Sequence, residues 1–511
     1  MIERVDSLLN KITMYRLILY YLVLLVGIAS VLGFFGILPY SPLDLLINLF
    51  VSIAAAYISN YLFSKIFKAA TNIESVFITA LILVLIMPVK FPTDTTFIAL
   101  ASVLAMASKY FLAINKRHIF NPAAFGATIM FFVSDQAASW WIGTPTMLPF
   151  VLFGGLLVLR KIRREKLVFN FLLVYLFIVA AGSIFRDGSL AFVIPAWQLT
   201  VFNSALFFFM FVMLTEPLTS PATKKLQKYY GYIVALFYVV PQAGLISVNI
   251  PPETALCLGN IFAYFVSSNY RLILPLKLKK KLTSDIYTFF FNKQNSFNFI
   301  PGQYMEWTLQ HKNTDSRGNR RYFSISSSPT EKEITITVKF YDNSSSYKKK
   351  LLNLKEGERI IAAKVAGDFV LPKNPKAPLA FIAGGVGITP FRSMIKYILD
   401  KNIKSNIVFI YSNRTANEIL FSDIFQKAEN YGVKTIYTLT DADNIPKDWK
   451  GKTGYINEQM LQEEIPDYQN RIFYISGPQL MVQNFEKTLL GMRVKKGNII
   501  TDFFPGYAEN K

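Results

Sequence analysis

Apolar and polar positions divide the chain into two unlike parts. Residues 1 to about 270 consist of long apolar runs separated by short polar loops, whereas residues 271–511 mix apolar and charged positions as soluble sequence does. A helix needs about 20 apolar residues to cross the hydrocarbon core of a bilayer. We therefore expect ten spanning helices, with the short runs near 119 and 147 partly re-entrant, at 15–37, 43–64, 73–89, 95–114, 119–134, 147–160, 167–185, 196–214, 229–249 and 252–270.

Lysine and arginine occur in every second loop of this pattern. Loops on the other side carry only Lys90 and Arg186. Because cytoplasmic loops retain positive charge, the N-terminus and the whole C-terminal half are expected in the cytoplasm of a prokaryotic cell with this chain in its inner membrane. The basic positions that define the inner side are Lys65, Lys68, Lys116, Arg117, Arg160 to Lys166, Lys224, Lys225, Lys228 and the basic loop Arg271 to Lys281.

Composition supports the same division. Hydrophobic residues make up 52% of the 511 positions, and the formal net charge is +21. We attribute that charge to loops facing anionic headgroups rather than to nucleic-acid binding, because no basic stripe with interleaved aromatics occurs in the soluble half. The first apolar run lacks a small-residue cleavage site, so no signal peptide is expected.

Short strand patterns fill the second half of the chain. Residues 271–375 predict a small antiparallel β-barrel with strands at 285–291, 303–309, 321–325, 333–340 and 358–365. From residue 376 to 511, apolar strands alternate with helices, which predicts a parallel, doubly wound α/β sheet. Its strands are expected at 379–383, 407–411, 434–438, 472–476 and 498–501.

A glycine turn follows the first strand of that sheet. The segment 381–390 reads FIAGGVGITP, a buried strand running into glycines and a helix start near Thr389. Glycines let the backbone approach phosphate oxygens, and the helix dipole favours an anion. The turn therefore predicts a dinucleotide pyrophosphate site.

Cysteine and histidine are scarce. The chain holds one cysteine, Cys257, and two histidines, His118 and His311. Internal disulfides, thiolate-bound iron–sulfur clusters and stacked histidine pairs for haem are thereby excluded within this chain, and no metal site is predicted. Flavin or quinone remains as the electron carrier of the membrane half.

Ordered motifs in the soluble half resemble the ferredoxin–NADP reductase superfamily. They are PGQY (301–304), RYFSISS (321–327), Ser346 with Tyr347, and AGDFVLP (366–372). The resemblance implies that Arg321 pairs with the FAD pyrophosphate, Phe323 packs on the isoalloxazine and Ser324 bonds near the reactive flavin nitrogen. The full set of implied FAD contacts is Arg321, Tyr322, Phe323, Ser324, Ser327, Ser346, Gly367 and an aromatic residue of the terminal FFPGY. Phe503, Phe504 and Tyr507 are available there and Phe504 is chosen, although aromatic residues near a terminus more often serve simple packing.

The same resemblance extends over the glycine turn and a later Ser-Gly-Pro motif. Ser476 stands where many members place a cysteine beside the nicotinamide, so Ser324 and Ser476 are the candidate catalytic residues. Arg414 after the second strand could receive a 2′-phosphate, which favours NADPH without excluding NADH. The implied nicotinamide contacts are Gly384, Gly385, Gly387, Thr389, Pro390, Arg414, Gly477 and Pro478, with Met481 completing the motif.

The membrane half resembles the family of the Rnf complex D subunit and the B subunit of the sodium-translocating NADH:quinone reductase. The resemblance rests on KRHIFNPAAFGAT (116–128) and LTEPLTSP (214–221). Members attach FMN to an outer-loop threonine, which implies Thr144 in WWIGTPTMLP, although Asp135 is the nearest acid and the match is incomplete. Trp140 and Trp141 are expected at the lipid interface.

Two further features of this half bear on its architecture. ITALILVLIMP (78–88) and NSALFFFMFVMLTEP (203–217) are similar runs five spans apart, which indicates an inverted repeat. Asn121, Pro122, Glu216 and Pro217 are expected to break helices and line a flavin or quinone pocket, or only to mark helix ends.

Three functions remain open on this basis. The first is a membrane-bound NAD(P)H oxidoreductase that passes electrons through FAD to quinone, a membrane flavin or an outer-face acceptor. The second adds ion translocation within a larger electron-transport complex. The third is a redox-sensing solute channel or transporter.

Overall fold

The computed structural model describes residues 5, 9, 12–67, 69, 72–114, 117–134, 137–267, 271–294, 297–312, 314–315 and 318–504. Four residues of the sequence predictions, Lys68, Lys116, Asp135 and Tyr507, lie outside these residues. The chain divides into two compact units, residues 1–269 and 270–511.

The first unit is helical, and each of the ten apolar runs contains helix. The run near 196–214 is broken at Asn203–Ala205 and continues as the π-helical turn Phe209–Met213. A two-stranded hairpin, β1 (Ala113–Ile114) with β2 (Arg117–His118), precedes the helix that begins at Pro122. The helices are α1 (Met14–Phe34), α2 (Pro42–Ile66), α3 (Ile73–Ile86), α4 (Thr95–Phe111), α5 (Pro122–Ser134), α6 (Leu148–Ile162), α7 (Glu165–Asp187), α8 (Val193–Phe202), α9 (Leu206–Phe208), α10 (Lys224–Gln242) and α11 (Pro252–Val266).

Three of these helices, α1, α2 and α7, are long and apolar enough to cross a membrane. The segments 190–202 and 206–213 pass the same test together but meet at a 63° bend, which gives up to four candidate spans among the described residues. Helices α3, α4 and α5 are apolar but shorter. The count of ten spans and the inverted repeat therefore stay predictions.

Large apolar side chains point outward from the long helices. Leu24 of α1, Phe50 of α2 and Phe177 of α7 are 58%, 74% and 70% exposed. Small residues let the helices approach inside the unit, as at Gly126 of α5, where a Cβ would lie 2.4 Å from the carbonyl oxygen of Ala101. An apolar exterior around a closely packed interior is what a lipid-facing bundle requires.

The second unit begins with an antiparallel sheet of six strands. The strands are β3 (Arg271–Lys281), β4 (Ile286–Asn292), β5 (Tyr304–Thr308), β6 (Arg320–Ser324), β7 (Glu333–Lys339) and β8 (Arg359–Ala366), with α12 (Ser346–Leu352) between the last two. They are arranged in the order β6-β5-β8-β3-β4-β7. The Ser326 N–H donates to the Thr335 carbonyl at 2.9 Å, which joins the chain after β6 to β7 and closes the barrel.

The first strand of this barrel corrects the sequence interpretation. Residues 271–281 were expected to be a basic loop, but they form β3, which pairs with both β4 and β8. Leu272, Leu274 and Leu276 point into the barrel core and are 3%, 1% and 2% exposed. The lysines therefore follow a stretch of strand in which every second residue, from 272 to 276, is a buried leucine.

The rest of the unit is a parallel α/β sheet. Its order is β12-β11-β10-β9-β13-β14, so the first strand lies between the second and the fifth. Ligands bind at the carboxyl ends of strands where the order reverses, here between β9 and β13. The strands are β9 (Pro378–Gly384), β10 (Asn406–Asn413), β11 (Val433–Leu439), β12 (Lys452–Thr453), β13 (Ile472–Pro478) and β14 (Ile499–Phe504), and the helices are α13 (Thr389–Asp400), α14 (Ser422–Ala428), α15 (Glu458–Glu464) and α16 (Gln479–Gly491).

Candidate active site

Alternate residues of β6 present two different surfaces. The Arg321 guanidinium lies over the Tyr347 ring of α12, 5.1 Å from its centroid, and the Phe323 ring lies 6.1 Å from the same ring. Tyr322 points to the opposite face, where its hydroxyl donates to Glu306 at 2.8 Å. The structure thus brings Arg321 and Phe323 together with Tyr347 and places Tyr322 apart from them.

Two serines of the same motif have different surroundings. Ser324 is 3% exposed, and its hydroxyl has no hydrogen-bond partner among the described residues. The Ser327 hydroxyl accepts from the Thr335 N–H at 3.0 Å and is part of the barrel framework. Of these two hydroxyls, that of Ser324 makes no hydrogen bond within the described part of the chain.

Ser346 opens α12 beside a short loop of the barrel. Its N–H donates to the Asp315 carboxylate at 2.8 Å, and its hydroxyl accepts from the Asp315 N–H at 3.0 Å. The His311 Nε2 lies 3.0 Å from the same hydroxyl. A carboxylate therefore occupies the position in which the sequence predicts a flavin phosphate, and neither Asp315 nor His311 was assigned to the site from sequence.

Two glycines lie where the barrel joins the α/β sheet. Gly367 has a φ of +116°, and a Cβ there would lie 3.1 Å from the Tyr304 ring. Gly302 has a φ of +94°, and its Cβ would lie 2.1 Å from the Phe369 carbonyl oxygen. Both the backbone angle and the close approach therefore require glycine at this seam.

A buried charge cluster lies on the outer face of β5. Glu306 is 6% exposed and lies 3.5 Å from Arg320 and 3.7 Å from Lys364. Burial acts to raise the pKa of the Glu306 carboxyl, but the charges of Lys364 and Arg320 and the Tyr322 hydroxyl outweigh it, so the pKa lies below its usual value. Lys364 has a φ of +52°, an unusual backbone angle for lysine.

The glycine turn after β9 is closely packed at two of its three glycines. A Cβ at Gly384 would lie 2.3 Å from the Met481 sulfur, and one at Gly387 would lie 2.3 Å from the Ser476 carbonyl oxygen. Gly385 has a φ of +50° and no atom within 4 Å of its Cβ position. The turn thus packs against Met481 of α16 at Gly384 and against β13 at Gly387, and it opens to space at Gly385.

The predicted residues of both motifs meet at this turn. Ser476 pairs in register with Ala383, one residue before the turn, and Gly477 and Pro478 end β13. The Ser476 hydroxyl is fully buried and has no hydrogen-bond partner among the described residues. Thr389, whose hydroxyl donates to the Val386 carbonyl at 3.1 Å, and Pro390 begin α13.

Arg414 follows β10 at the same edge of the sheet. Its side chain is 74% exposed and lies 3.6 Å from the Asp441 carboxylate. Asp441 comes from the segment after β11, so an acid is present near Arg414 in space although none follows it immediately in sequence. Phe503 and Phe504 lie in β14, but their side chains are outside what the structure describes.

Thr144 lies in the helical unit beside a cavity of about 390 Å³. Its hydroxyl is buried without a hydrogen-bond partner among the described residues. A Cβ at Gly143 would lie 2.5 Å from the Ala205 nitrogen, which holds this turn against the break between α8 and α9. The cavity is also lined by Ser139, Trp140, Trp141, Pro145, Asn203, Ser204, Tyr238, Gln242 and Pro252.

The two tryptophans before Thr144 were expected at the lipid interface, and this is wrong. Trp140 and Trp141 are 9% and 5% exposed and pack inside the unit. Their indole N–H groups donate to the Glu253 carboxylate at 2.9 Å and to the Val84 carbonyl at 2.8 Å. Hydrogen bonds to buried acceptors therefore fix the walls of the cavity.

Asn121 and Glu216 line a second space, of about 40 Å³. The Asn121 side chain accepts from the Ala124 N–H at 3.0 Å and caps α5. The capping bond of Asn121 agrees with the alternative that this residue marks a helix end. The flavin or quinone pocket stays a prediction.

Comparisons with known proteins concern the soluble unit. The family described as "Oxidoreductase NAD-binding domain" matches residues 381–487. The chain is 30% identical over 241 residues to the flavohemoprotein of Bacillus cereus, covering 44% of this chain and 59% of that protein. It is 30% identical over 203 residues to the glycine betaine monooxygenase reductase subunit of Chromohalobacter salexigens, covering 38% of this chain and 54% of that subunit. The chain thus spans little more than half the length of these relatives.

A solved structure resembles the same unit. The FAD/NAD-binding domain of nitric oxide dioxygenase from Vibrio cholerae aligns with a TM-score of 0.40 and 22% identity, covering 46% of this chain and 99% of that one. The family match includes the glycine turn and the Ser-Gly-Pro motif at 476–478. The C-terminal half of the chain is a ferredoxin–NADP reductase-like, NAD(P)H-dependent flavin oxidoreductase module.

Proposed function

We propose that the whole chain is a membrane-bound NAD(P)H oxidoreductase. It passes electrons from NAD(P)H through FAD into the helical unit and on to quinone, a membrane flavin or an acceptor at the outer face. One observation carries this proposal: a reductase-like module is continuous in sequence with a helical unit whose α1, α2 and α7 are long and apolar enough to cross a membrane. A single chain keeps donor and acceptor units together at a fixed stoichiometry.

The residues around β6 fit FAD. Arg321 and Tyr347 offer a charge and a ring on one surface, and the Ser324 hydroxyl lacks a partner among the described residues. The Ser346 N–H, which now donates to the Asp315 carboxylate, would hold a flavin phosphate in its place. When bound, FAD accepts a hydride and releases the electrons singly.

The turn between β9 and α13 fits the pyrophosphate of NAD(P)H. Gly385 opens to space, whereas Gly384 brings the backbone against Met481 of α16 and Gly387 brings it against β13. The buried Ser476 hydroxyl would orient the nicotinamide. Arg414 would exchange its contact with Asp441 for a 2′-phosphate, so NADPH use depends on this competition.

The helical unit is proposed to lie in the inner membrane with both ends of the chain in the cytoplasm. Ten spans, in two inverted halves, account for the ten apolar runs and the alternating basic loops. The outward apolar side chains of α1, α2 and α7 support a lipid environment. Quinone, an outer-face acceptor or further electron-transport subunits would receive the electrons.

Thr144 is proposed as the attachment point of FMN. The cavity of about 390 Å³ beside it and the unpartnered threonine hydroxyl support this assignment. We expect in-gel flavin fluorescence of the denatured band to disappear in Thr144→Ala. Thr146→Ala, in the same loop and exposed, should retain it, and loss of fluorescence in both variants would contradict the assignment.

Purification of the full chain in detergent tests the main proposal. Acid should release FAD, and NADPH or NADH should reduce the bound flavin and support quinone reduction. Comparison of kcat/KM for the two donors identifies the preferred one. Colourless protein that stays colourless after incubation with FAD would overturn the proposal, as would a soluble unit that proteases reach only from the outer side of intact cells.

A further inference from the structure

Helix α13 connects the two cofactor motifs of the soluble unit. It begins at Thr389, directly after the glycine turn, and its next turn contacts the segment that follows β6. Arg392 is the third residue after Thr389, and Ser326 is the second residue after Ser324. The two proposed cofactor sites are therefore linked through very few covalent and hydrogen bonds.

Four contacts form this link. The Ser393 hydroxyl donates to the Ser327 carbonyl at 2.7 Å, and the Arg392 Nη1 donates to the Ser326 carbonyl at 3.0 Å. The Arg392 guanidinium also donates two hydrogen bonds to the Glu331 carboxylate, of which the Nη2–Oε1 bond is 2.8 Å. Both side chains of this ion pair are largely buried, with 14% and 22% exposed.

The segment between the two sites is held from its other side as well. The Ser326 N–H donates to the Thr335 carbonyl at 2.9 Å, and the Thr335 N–H donates to the Ser327 hydroxyl at 3.0 Å. Residues 326 and 327 therefore lie clamped between β7 and α13. A shift of α13 is transmitted to the end of the flavin motif instead of being absorbed by a loose loop.

We propose that Arg392, Ser393 and Glu331 are positioning residues for hydride transfer. The inference rests on the proposed binding of FAD at β6 and of NAD(P)H at the glycine turn. A two-pronged arginine–carboxylate contact fixes orientation as well as distance. A misplacement of about 1 Å can slow a reaction about 100-fold. These contacts therefore set the distance and orientation between the nicotinamide and the flavin, although the three side chains contact neither cofactor.

Anaerobic stopped-flow reduction of the FAD-loaded full chain by NADPH or NADH tests the inference. We expect Arg392→Ala to lower the limiting rate of flavin reduction about 10- to 100-fold, while the FAD content and the nicotinamide concentration at half-saturation change less than about threefold. Ser393→Ala should show a smaller loss in the same constant. Exchange of the pair, in Arg392→Glu with Glu331→Arg, should recover part of the rate.

Lys350→Ala is the matched control, because it removes another cation at 3.0 Å from a glutamate but within the barrel alone. Its reduction rate should equal that of the wild type. If Arg392→Ala and Ser393→Ala both reduce the flavin at the wild-type rate, and the wild type is reduced normally, the inference is overturned while the proposed function stands. A wild-type flavin that dithionite reduces and NAD(P)H does not would overturn the proposed function, and the inference with it.

Discussion

Gly385 is a position at which backbone conformation and open space coincide. Its φ of +50° disfavours a side chain, and its Cβ direction meets no atom within 4 Å. We expect Gly385→Val to prevent flavin reduction by NAD(P)H, because the side chain strains the turn by about 1–3 kcal/mol and fills the space where a pyrophosphate would lie. Dithionite should still reduce the flavin.

The control for this variant is Gly497→Val. Gly497 also has open space around its Cβ position, but its φ does not lie in the left-handed region. Anaerobic absorbance spectra after addition of NADPH, NADH or dithionite provide the measurement. Normal reduction of Gly385→Val by a nicotinamide would remove the turn from the proposed site.

Glu306 links the stability of the barrel to pH. Because its folded pKa is lowered, the unfolded state binds the proton more tightly, and the carboxylate stabilises the fold fully above its unfolded pKa of about 4.3. That contribution is lost as the pH falls through the folded pKa. We expect the wild type to lose more stability than Glu306→Gln between about pH 5 and pH 3.

Thermal release of FAD, followed by flavin fluorescence at a series of pH values, measures this difference. At neutral pH, Glu306→Gln should release FAD at a lower temperature, since Lys364 and Arg320 then lack their buried partner. Parallel pH profiles for the two proteins would show that the Glu306 carboxylate is not stabilised as its surroundings indicate.

Strand β3 supplies a comparison between two adjacent residues. Leu274 is 1% exposed in the barrel core, whereas Ile273 is 44% exposed on the other face. Leu274→Ala should lower the free energy of unfolding of this unit by about 2–5 kcal/mol, because it leaves a cavity. Ile273→Ala should cost much less, and equal losses in denaturant titrations would contradict the assigned register.

Most helices and strands could be predicted from the sequence pattern, and a few could not. Apolar runs located the helices, and alternation located β4 to β8, because each pattern states directly which face is buried. The segment 271–281 was misread because its lysines suggested a loop, although Leu272, Leu274 and Leu276 carry the period of two. At the break at 203–205 Gly143 approaches Ala205 closely, a contact between distant segments that local sequence does not reveal.

The glycine turn was readable from sequence because its residues are contiguous. Its neighbours were not, since they come from distant segments. Asp441 reaches Arg414 from the next strand, and Asp315 reaches Ser346 from 31 residues away. The burial of Trp140 likewise depends on Glu253, 113 residues later, which only the folded chain brings near.

The proposed electron path predicts that a mutation in the helical unit can lower quinone reduction without lowering NAD(P)H oxidation by the soluble unit. A Cβ in Gly143→Ala would lie 2.5 Å from the Ala205 backbone and must displace the cavity wall. We expect quinone reduction to fall at least about tenfold, a barrier change of about 1.4 kcal/mol, while NAD(P)H-driven ferricyanide reduction by the soluble unit is unchanged.

Gly27→Ala is the control in the same unit, because its Cβ position in α1 has no atom within 4 Å. It should retain both activities. Steady-state assays with the two acceptors make the comparison. If Gly143→Ala retains full quinone reduction, the proposed electron transfer through a flavin at Thr144 is wrong.

The seam glycines restrict which relatives of this chain can exist. At Gly302 and Gly367 a side chain meets both an unfavourable backbone angle and a neighbouring group. At Gly318 and Gly357 the angle is also positive but the surroundings are open, so asparagine or aspartate is tolerable there. A randomised library selected for flavin retention should consequently keep glycine at the first two positions and diversify at the others, so the seam will limit module exchange among such enzymes.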